Sequence, residues 1–214
     1  TPDGRFTIVY NGEIFNFVEI RRALEDLGES FRSDCDTEVV LKSFAHWGPD
    51  ALGRLHGMFA FAVWDGTEGT VFLARDRLGI KPLYYLDRPR EFVFSSEIRT
   101  LLATGFEQPT LSRHGLRSYL AFGSVADPDT ILREVRSLPP GCCLLGRPAR
   151  MSFRRYWQIP ISSDGPSSFA ESVEQVRPVL REAVRTCLMA DVPIGVFLSG
   201  GIDSSLVACL AAEA

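Results

Sequence analysis

The sequence predicts an α+β protein of four layers, in the order helix, sheet, sheet, helix, followed by the opening elements of an α/β domain. Two amphipathic segments near the start predict helices, and the nearly all-apolar segments after them predict strands covered on both faces. Near the end, an apolar strand pattern leads through Ser-Gly-Gly into a helix. We therefore expect a first domain over residues 1–160 and the start of a second over residues 168–214, separated by the Ser-, Gly- and Pro-containing linker 161–168.

The first strand and the first helix are predicted from alternation and from turn residues. Arg5–Tyr10 alternates polar and apolar residues, which predicts a strand that ends in a turn at Asn11-Gly12. The helix that follows has Asn16 as its N-cap, an apolar stripe on one face and Gly28 just past its end.

The next elements are predicted in the same way. A second helix has Asp36 or Thr37 as its cap and ends at Gly48. Apolar stretches separated by short turns then predict antiparallel strands over residues 58–64, 70–74, 83–85 and 92–94. A short helix is expected over residues 113–122, with turn-rich chain between it and residue 158.

The C-terminal segment is predicted to be helical from a capping box of Ser168 and Glu171 onward. Pro178 lies inside this pattern, so we expect either a kink or a later start near Val176. The helix after Ser204 is still in progress at the last residue, and no initiator Met opens the sequence. We therefore expect a piece of a longer protein.

Charge and composition exclude several classes of partner. A net charge of −4 gives no electrostatic reason to expect nucleic acid or an anionic membrane. No uninterrupted apolar run approaches the roughly 20 residues needed to span a bilayer. The five cysteines are odd in number and lack Cys-x-x-Cys spacing, which favours a reduced, cytoplasmic protein.

The segment from Leu198 to Ser204 has the pattern of a phosphate-binding loop. Its glycines let backbone N–H groups approach phosphate oxygens, and the N-terminus of the following helix adds partial positive charge. Its hydroxyls can donate further hydrogen bonds, and Asp203 could hold the Mg²⁺ that accompanies ATP. Neither a Walker A sequence nor Gly-x-Gly-x-x-Gly is present. An ordinary strand–helix turn is the alternative interpretation.

The Asn11-Gly12 pair is a candidate oxyanion hole. A side-chain amide and a backbone N–H without a partner, placed together, can stabilise negative charge on a carbonyl oxygen. A simple hairpin turn is the alternative for the dipeptide alone.

Several longer runs of sequence resemble one enzyme family. Residues 199–204 (Ser-Gly-Gly-Ile-Asp-Ser) resemble the pyrophosphate loop of the ATP-pyrophosphatases, and the preceding residues 191–198 resemble the asparagine synthetase branch. Residues 10–16 (Tyr-Asn-Gly-Glu-Ile-Phe-Asn) resemble the glutamine site of class II, or N-terminal-nucleophile, amidotransferases. Further matching stretches lie at 55–65, 74–85 and 94–98. The resemblance implies an N-terminal-nucleophile-hydrolase-like glutaminase domain followed by the start of an ATP-pyrophosphatase domain.

The resemblance also implies roles for individual residues. Asn11 and Gly12 would form the oxyanion hole, Glu13 would contact the α-amino end of glutamine, and Asp36 would bind the substrate. Asp34 could take the place of Asp36 if the register slipped by two residues, and an ordinary N-cap is the structural alternative for Asp36. The ATP site would consist of Leu198, Ser199, Gly200, Gly201, Asp203 and Ser204.

Other residues of these runs have two interpretations each. Arg75, Asp76 and Lys81 are expected to form either a buried ion network or a solvated turn. Met58 and Ile80 are expected in the core, with an ammonia passage as the alternative.

The nucleophile of the family is not found in this sequence. In the family it is a cysteine at the mature N-terminus, about 60 residues before the Asn-Gly-Glu run, and none of the five cysteines matches it. Thr1 is rejected as a threonine nucleophile on the same spacing. This piece alone is therefore expected to be inactive.

The implied function is the glutamine-dependent, ATP-consuming synthesis of an amide. Ammonia from glutamine would pass to an adenylated carboxylate, aspartate by default, with release of AMP and pyrophosphate. An amidotransferase with a different acceptor carboxylate and a non-catalytic protein on the same scaffold are the alternatives. The expected partners are glutamine, ATP and the acceptor, with a homodimer left open.

Overall fold

The computed structural model describes residues 1–105, 109–161, 165–166, 168–190 and 192–214. The chain divides into two compact units, Thr1–Gln158 and Ile159–Ala214. Half of the predicted linker (residues 162–164 and 167) and residue 191, the first of the stretch that resembles the asparagine synthetase branch, lie outside the described residues.

The described part of unit 1 contains eight strands and four helices. The strands are β1 (Phe6–Ile14), β2 (Gly57–Asp65), β3 (Thr70–Arg75), β4 (Tyr84–Arg88), β5 (Glu91–Ser95), β6 (Arg136–Ser137), β7 (Cys142–Arg147) and β8 (Arg150–Arg155). The helices are α1 (Phe17–Asp26), α2 (Asp36–Trp47), α3 (Ile98–Ala103) and α4 (Arg113–Phe122), with a 3₁₀ turn at Gly48–Gly53.

Two antiparallel sheets form the middle layers. Sheet A has the order β1-β2-β3-β7-β8, and sheet B has the order β5-β4-β6. Along β2 the side chains alternate, so that Phe59 and Phe61 join the core formed with α1 and α2, while Ala60 and Ala62 join the core between the sheets. Leu86 of β4 and Leu101 of α3 form a third cluster beyond sheet B. The predicted order of helix, sheet, sheet, helix is therefore confirmed.

The turn predicted at Asn11-Gly12 is wrong. β1 continues through both residues to Ile14, with Gly12 opposite Phe59 of β2. Gly12 has no positive φ, and a Cβ placed on it would lie 2.3 Å from the Met58 carbonyl oxygen. The glycine therefore permits a close approach of two backbones, which is a different use of glycine from the turn that the dipeptide suggests.

Both predicted N-terminal helices form, but their caps differ from the prediction. Asn16 precedes α1 without capping it, since its side chain donates to the Arg54 carbonyl and accepts from the His56 N–H. The cap position of α2 is Cys35, which makes no side-chain capping bond. Asp36 and Thr37 are therefore inside the helix rather than its cap, and Asp36 is free to bond elsewhere.

The β7–β8 hairpin was not predicted, whereas α4 has the predicted bounds. The hairpin follows Pro139, Pro140 and Gly141, and these residues favour turns. Most residues of β8 are exposed, so the apolar alternation that marks a half-buried strand is weak there.

The described part of unit 2 contains helices α5 (Phe169–Cys187) and α6 (Ile202–Glu213). The Ser168 hydroxyl accepts from the Glu171 N–H at 3.2 Å, so the predicted start is confirmed and the alternative start near Val176 is wrong. Pro178 lies inside α5.

The strand predicted just before the Ser-Gly-Gly sequence is wrong for the described residues 192–198, which form neither strand nor helix. A strand needs a neighbouring strand for its backbone hydrogen bonds, and the described part of unit 2 offers only helices. Phe197 is almost fully exposed there, at 99%.

No helix among the described residues combines the length and the apolar character that a membrane span requires.

Candidate functional site

The free edge of β1 carries the first part of the candidate site. In the described part of the chain β1 has one neighbouring strand, β2. The Phe15 N–H donates to the His56 carbonyl on the β2 side at 2.8 Å, while the Ile14 N–H donates to Asp36 at 3.0 Å. Because backbone N–H groups alternate in direction along a strand, the Gly12 N–H points to the same side as that of Ile14, away from β2. No hydrogen bond joins it to another described residue, so Gly12 presents a donor at this edge.

Asn11 lies on the face of sheet A that is turned toward sheet B. It is opposite Ala60, which belongs to the core between the sheets. Its side-chain Nδ2 donates to the Ser96 hydroxyl at 3.1 Å. An amide nitrogen carries two hydrogens, so one remains for a ligand. Asn11 and Ser96 line a cavity of about 370 Å³ that also reaches Leu83 and Phe94.

Ser96 was not among the predicted site residues. It lies within one of the stretches that resemble the amidotransferase family, but its contact with Asn11 joins residues 85 positions apart. The periodicity of either segment carries no information about such a contact.

Asp36 lies on the opposite face of sheet A, at the start of α2. Its Oδ2 accepts from the Tyr10 hydroxyl at 2.6 Å and from the Ile14 N–H at 3.0 Å. Asp34, the alternative for the same role, is fully exposed and pairs with Arg21 at 3.0 Å. Of the two acidic residues, Asp36 is therefore the one bound to the edge of β1.

The predicted glutamine-site residues thus meet at one strand edge but not on one face. Asn11 and Glu13 project toward the sheet B side, while Asp36 approaches from the helix side. A ligand at the unpaired edge of β1 can contact both faces, together with the Gly12 N–H. Glu13 is partly buried and makes no side-chain hydrogen bond or ion pair with the described residues.

Asp76 organises the loop that follows β3. It is 1% exposed, and its carboxylate accepts from four backbone N–H groups. The donors are those of Phe59, Leu78, Ile80 and Lys81, at 3.0–3.2 Å. Because these bonds fix the loop, Ile80 is held 57% exposed rather than in the core where it was expected.

Arg75 is also buried, so the alternative of a solvated turn at Arg75 and Asp76 is wrong. Its guanidinium pairs with Asp127 at 3.1 Å and donates to the carbonyls of Gly79, Lys81 and Leu138. Lys81 contributes its backbone only. The predicted ion network of Arg75, Asp76 and Lys81 is therefore wrong for the described residues, because Asp76 bonds to backbone N–H groups and the ion pair of Arg75 is with Asp127, which is distant in sequence.

The candidate phosphate loop in unit 2 is open. Gly200 has a φ of +81°, and a Cβ placed on it would meet nothing within 4 Å. The hydroxyls of Ser199 and Ser204 lie 3.0 Å apart, and that of Ser204 donates to the Gly201 carbonyl at 3.1 Å. Asp203 lies in the exposed first turn of α6. A Cβ placed on Gly201 would meet the hydroxyls of Ser199 and Ser204, at 3.5 and 3.9 Å. Among the described residues these two polar groups are the neighbours of the glycines, so an anionic group has access to the start of α6.

Within the described ranges, neither Cys143 nor Cys35 has the surroundings of an activated nucleophile, and the acidic groups form no metal cage. All five cysteines are thiols. Burial raises the pKa of the Cys143 thiol to about 11, which keeps it protonated and unreactive. Cys35 is exposed beside Asp36, with no histidine or lysine bonded to it. No group of three or more His, Cys, Asp or Glu side chains in the described residues could hold a metal ion.

Comparison with protein-family models gives two matches. The glutamine amidotransferase domain model matches residues 1–157, and the asparagine synthase model matches residues 175–214.

Curated relatives match nearly the whole chain. It is 38% identical to a protein named asparagine synthetase [glutamine-hydrolyzing] 3 from Bacillus subtilis, over 97% of this chain and 34% of that protein. It is 37% identical to a protein named amidase chry2 from Gibberella zeae, over 96% of this chain and 30% of that protein. The chain therefore spans about a third of the length of these relatives.

Among solved structures, the glutamine phosphoribosylpyrophosphate amidotransferase of B. subtilis is similar. The TM-score is 0.50 at 18% sequence identity, covering 100% of this chain and 45% of that one. At this identity the similarity shows a shared fold.

Proposed function

This chain belongs to the glutamine amidotransferase family, and on that premise we propose that it contributes the glutamine site and the nucleotide loop of a glutamine-hydrolysing ligase of the asparagine synthetase type. In the proposed reaction, water hydrolyses the side-chain amide of glutamine to glutamate and ammonia. ATP converts the acceptor carboxylate to an acyl adenylate with release of pyrophosphate. Ammonia then displaces AMP to give the amide, which is asparagine if the acceptor is aspartate.

The observation that carries the proposal is the pair of donors at the open edge of β1. The Gly12 N–H points away from β2, and one hydrogen of the Asn11 amide remains available beside it. Donors fixed by a strand and by Ser96 need no rearrangement when charge develops on a carbonyl oxygen, which is how an oxyanion hole lowers a barrier. We assign Glu13 and Asp36 to the amino-acid end of glutamine, because carboxylates attract its ammonium group.

The nucleotide part of the proposal rests on the open loop at Gly200 and Gly201. Backbone N–H groups at the start of α6, with the hydroxyls of Ser199 and Ser204, fit an anionic pyrophosphate group. Leu198 is exposed next to them. Asp203 could supply one carboxylate to Mg²⁺, which commonly takes only one or two protein carboxylates besides phosphate and water.

The acceptor is the part of the proposal with an open alternative. The similarity to a protein named an amidase, besides those named asparagine synthetases, favours a second candidate with a different acceptor carboxylate. The glutamine site would be the same in both. A reduced cytoplasmic setting and a homodimer remain predictions from the sequence.

Replacing Asn11 by alanine in the full-length gene product is the test of the glutamine site. We expect the rate of glutamine hydrolysis to fall about a hundredfold, because one oxyanion donor is lost. Synthesis driven by added ammonia should keep its rate, since it bypasses this site. Asn16→Ala is the matched control, because within the described ranges the Asn16 side chain bonds to the backbone at Arg54 and His56 and to no other group. Unchanged hydrolysis by the Asn11 variant would contradict the assignment.

Replacing Ser204 by alanine tests the nucleotide loop. We expect the dissociation constant for ATP–Mg²⁺, measured by isothermal calorimetry, to rise about tenfold, since a hydroxyl bonded to a charged phosphate is lost. Ser172→Ala is the control, because that hydroxyl donates to the Ser168 carbonyl within the first turn of α5. If the wild type and the Ser204 variant bind ATP–Mg²⁺ with equal affinity, the Ser204 hydroxyl does not bind the nucleotide and its assignment is wrong.

A further inference from the structure

Tyr10 lies beside the candidate glutamine site and makes the shortest contact of a described residue to Asp36. Its hydroxyl donates to Asp36 Oδ2 at 2.6 Å. Burial raises the pKa of this hydroxyl far above its ordinary value, and the bond to Asp36 raises it further. Tyr10 therefore stays protonated and remains a donor over the whole physiological range of pH.

The two oxygens of the Asp36 carboxylate are held differently. Oδ2 receives two well-formed bonds, from the Tyr10 hydroxyl and from the Ile14 N–H at 3.0 Å. Among the residues that the structure describes, Oδ1 has two weak neighbours, the Cys35 thiol at 3.6 Å and the Thr37 hydroxyl at 3.5 Å. A carboxylate oxygen offers about two lone pairs, so Oδ1 keeps most of its capacity to accept from a cation.

The backbone explains why Asp36 is fixed at this place. Ile14 is fully buried at the end of β1, and its N–H lies on the same unpaired edge as the Gly12 N–H. The carboxylate is thus bonded to the strand that carries the proposed oxyanion donors. Tyr10 supplies the second bond, which sets the rotation of the carboxylate about its Cβ–Cγ bond.

We infer that Tyr10 is a positioning residue for amino-acid recognition: with the Ile14 N–H it holds Asp36 Oδ2, so that Oδ1 is presented to the ammonium group of the substrate. This inference rests on the proposed function, in which glutamine binds at the edge of β1. The α-ammonium is the only cationic group of glutamine. Tyr10 therefore contributes to selection of an α-amino acid over an amide that lacks the amino group.

The test compares two ligands on the full-length gene product and its Tyr10→Phe variant. The ligands are L-glutamine and 4-carbamoylbutanoate, the analogue without the α-amino group, and the readout is the dissociation constant from calorimetry. We expect Tyr10→Phe to raise the dissociation constant for glutamine about tenfold. The analogue makes no ion pair with Asp36, so its dissociation constant should stay within twofold.

Tyr156→Phe is the matched control for a general loss of stability. The Tyr156 hydroxyl donates to the Arg75 carbonyl at 2.7 Å in the same unit and has no link to Asp36. This variant should leave the preference for glutamine over the analogue unchanged. If Tyr10→Phe weakens both ligands equally, or neither, the positioning role is overturned.

Asp36→Asn separates failure of this inference from failure of the proposed function. Suppose that Asp36→Asn abolishes the preference for glutamine over the analogue and Tyr10→Phe does not. Asp36 then keeps its proposed role, and only the inference about Tyr10 is wrong. If the wild type binds no glutamine, or Asp36→Asn leaves the preference intact, the assignment of Asp36 fails and the role of Tyr10 fails with it.

Discussion

Replacing Gly12 by alanine is expected to lower the free energy of unfolding by about 3 kcal/mol and to remove the Gly12 N–H from its position. The added Cβ would lie 2.3 Å from the Met58 carbonyl oxygen and 2.7 Å from Phe59 Cα. Both are backbone atoms of the neighbouring strand, so relief requires β1 and β2 to separate. The gain from restricting the unfolded chain, about 0.4–1 kcal/mol, is too small to offset this. Urea denaturation of both proteins measures the difference.

Gly53→Ala is the control for this substitution. Gly53 lies in the 3₁₀ turn, has no positive φ, and a Cβ there would meet nothing within 4 Å. The free energy of unfolding of the Gly53→Ala variant should stay within about 0.5 kcal/mol of the wild-type value. If Gly12→Ala behaves like Gly53→Ala, the close approach of β1 and β2 at this point is refuted.

Replacing Asp76 by alanine is expected to cost about 3–4 kcal/mol of stability. Four backbone N–H groups lose their acceptor, and a buried donor left without one costs roughly 1–3 kcal/mol. The N–H of Phe59 lies in the core and carries the full cost. The N–H groups of Leu78, Ile80 and Lys81 belong to a surface loop, where water can replace the lost acceptor. We therefore expect each of these three to cost less than the N–H of Phe59. The loop itself should become mobile, which NMR relaxation can detect.

Asp50→Ala tests whether loss of any carboxylate has this effect. Asp50 pairs with Arg154, but its side chain is 79% exposed. Exposed ion pairs contribute little, so we expect a change within about 0.5 kcal/mol. A loss of similar size for Asp50 and Asp76 would show that charge, rather than the four backbone bonds, accounts for the effect.

Local pattern was sufficient for much of the fold. The nearly continuous apolar runs of β2 and β3 and the apolar stripes of α1 and α2 are properties of short segments, and the structure confirms these elements. β8 is mostly exposed, so its alternation was too weak to detect. For residues 192–198 the apolar pattern was clear, but no strand forms. A strand requires a neighbouring strand to pair its backbone N–H and C=O groups, and an apolar pattern alone does not supply one.

For the candidate site, the sequence indicated residue types but not their arrangement. Asn11, Gly12 and Asp36 were singled out by resemblance, whereas the bonds that place them come from Ser96 and Tyr10. Tyr10 and Asp36 are 26 residues apart, and their contact depends on how α2 packs against β1. The same holds for Asp127, which reaches Arg75 from 52 residues away. Such contacts depend on how helices and strands pack together, and the spacing of apolar residues within one segment does not predict that packing.

Among the described residues, β1 has one edge without a neighbouring strand, and this edge limits how the sheet can be extended. An additional strand that ran alongside β1 as far as Gly12 would accept the hydrogen of the Gly12 N–H, and that hydrogen can serve one strong acceptor at a time. Sheet extension over that stretch and the proposed polarisation of a glutamine carbonyl are therefore mutually exclusive. Whatever strand docks there, from the same polypeptide or from a second molecule, has to end before Gly12 for the donor to stay usable.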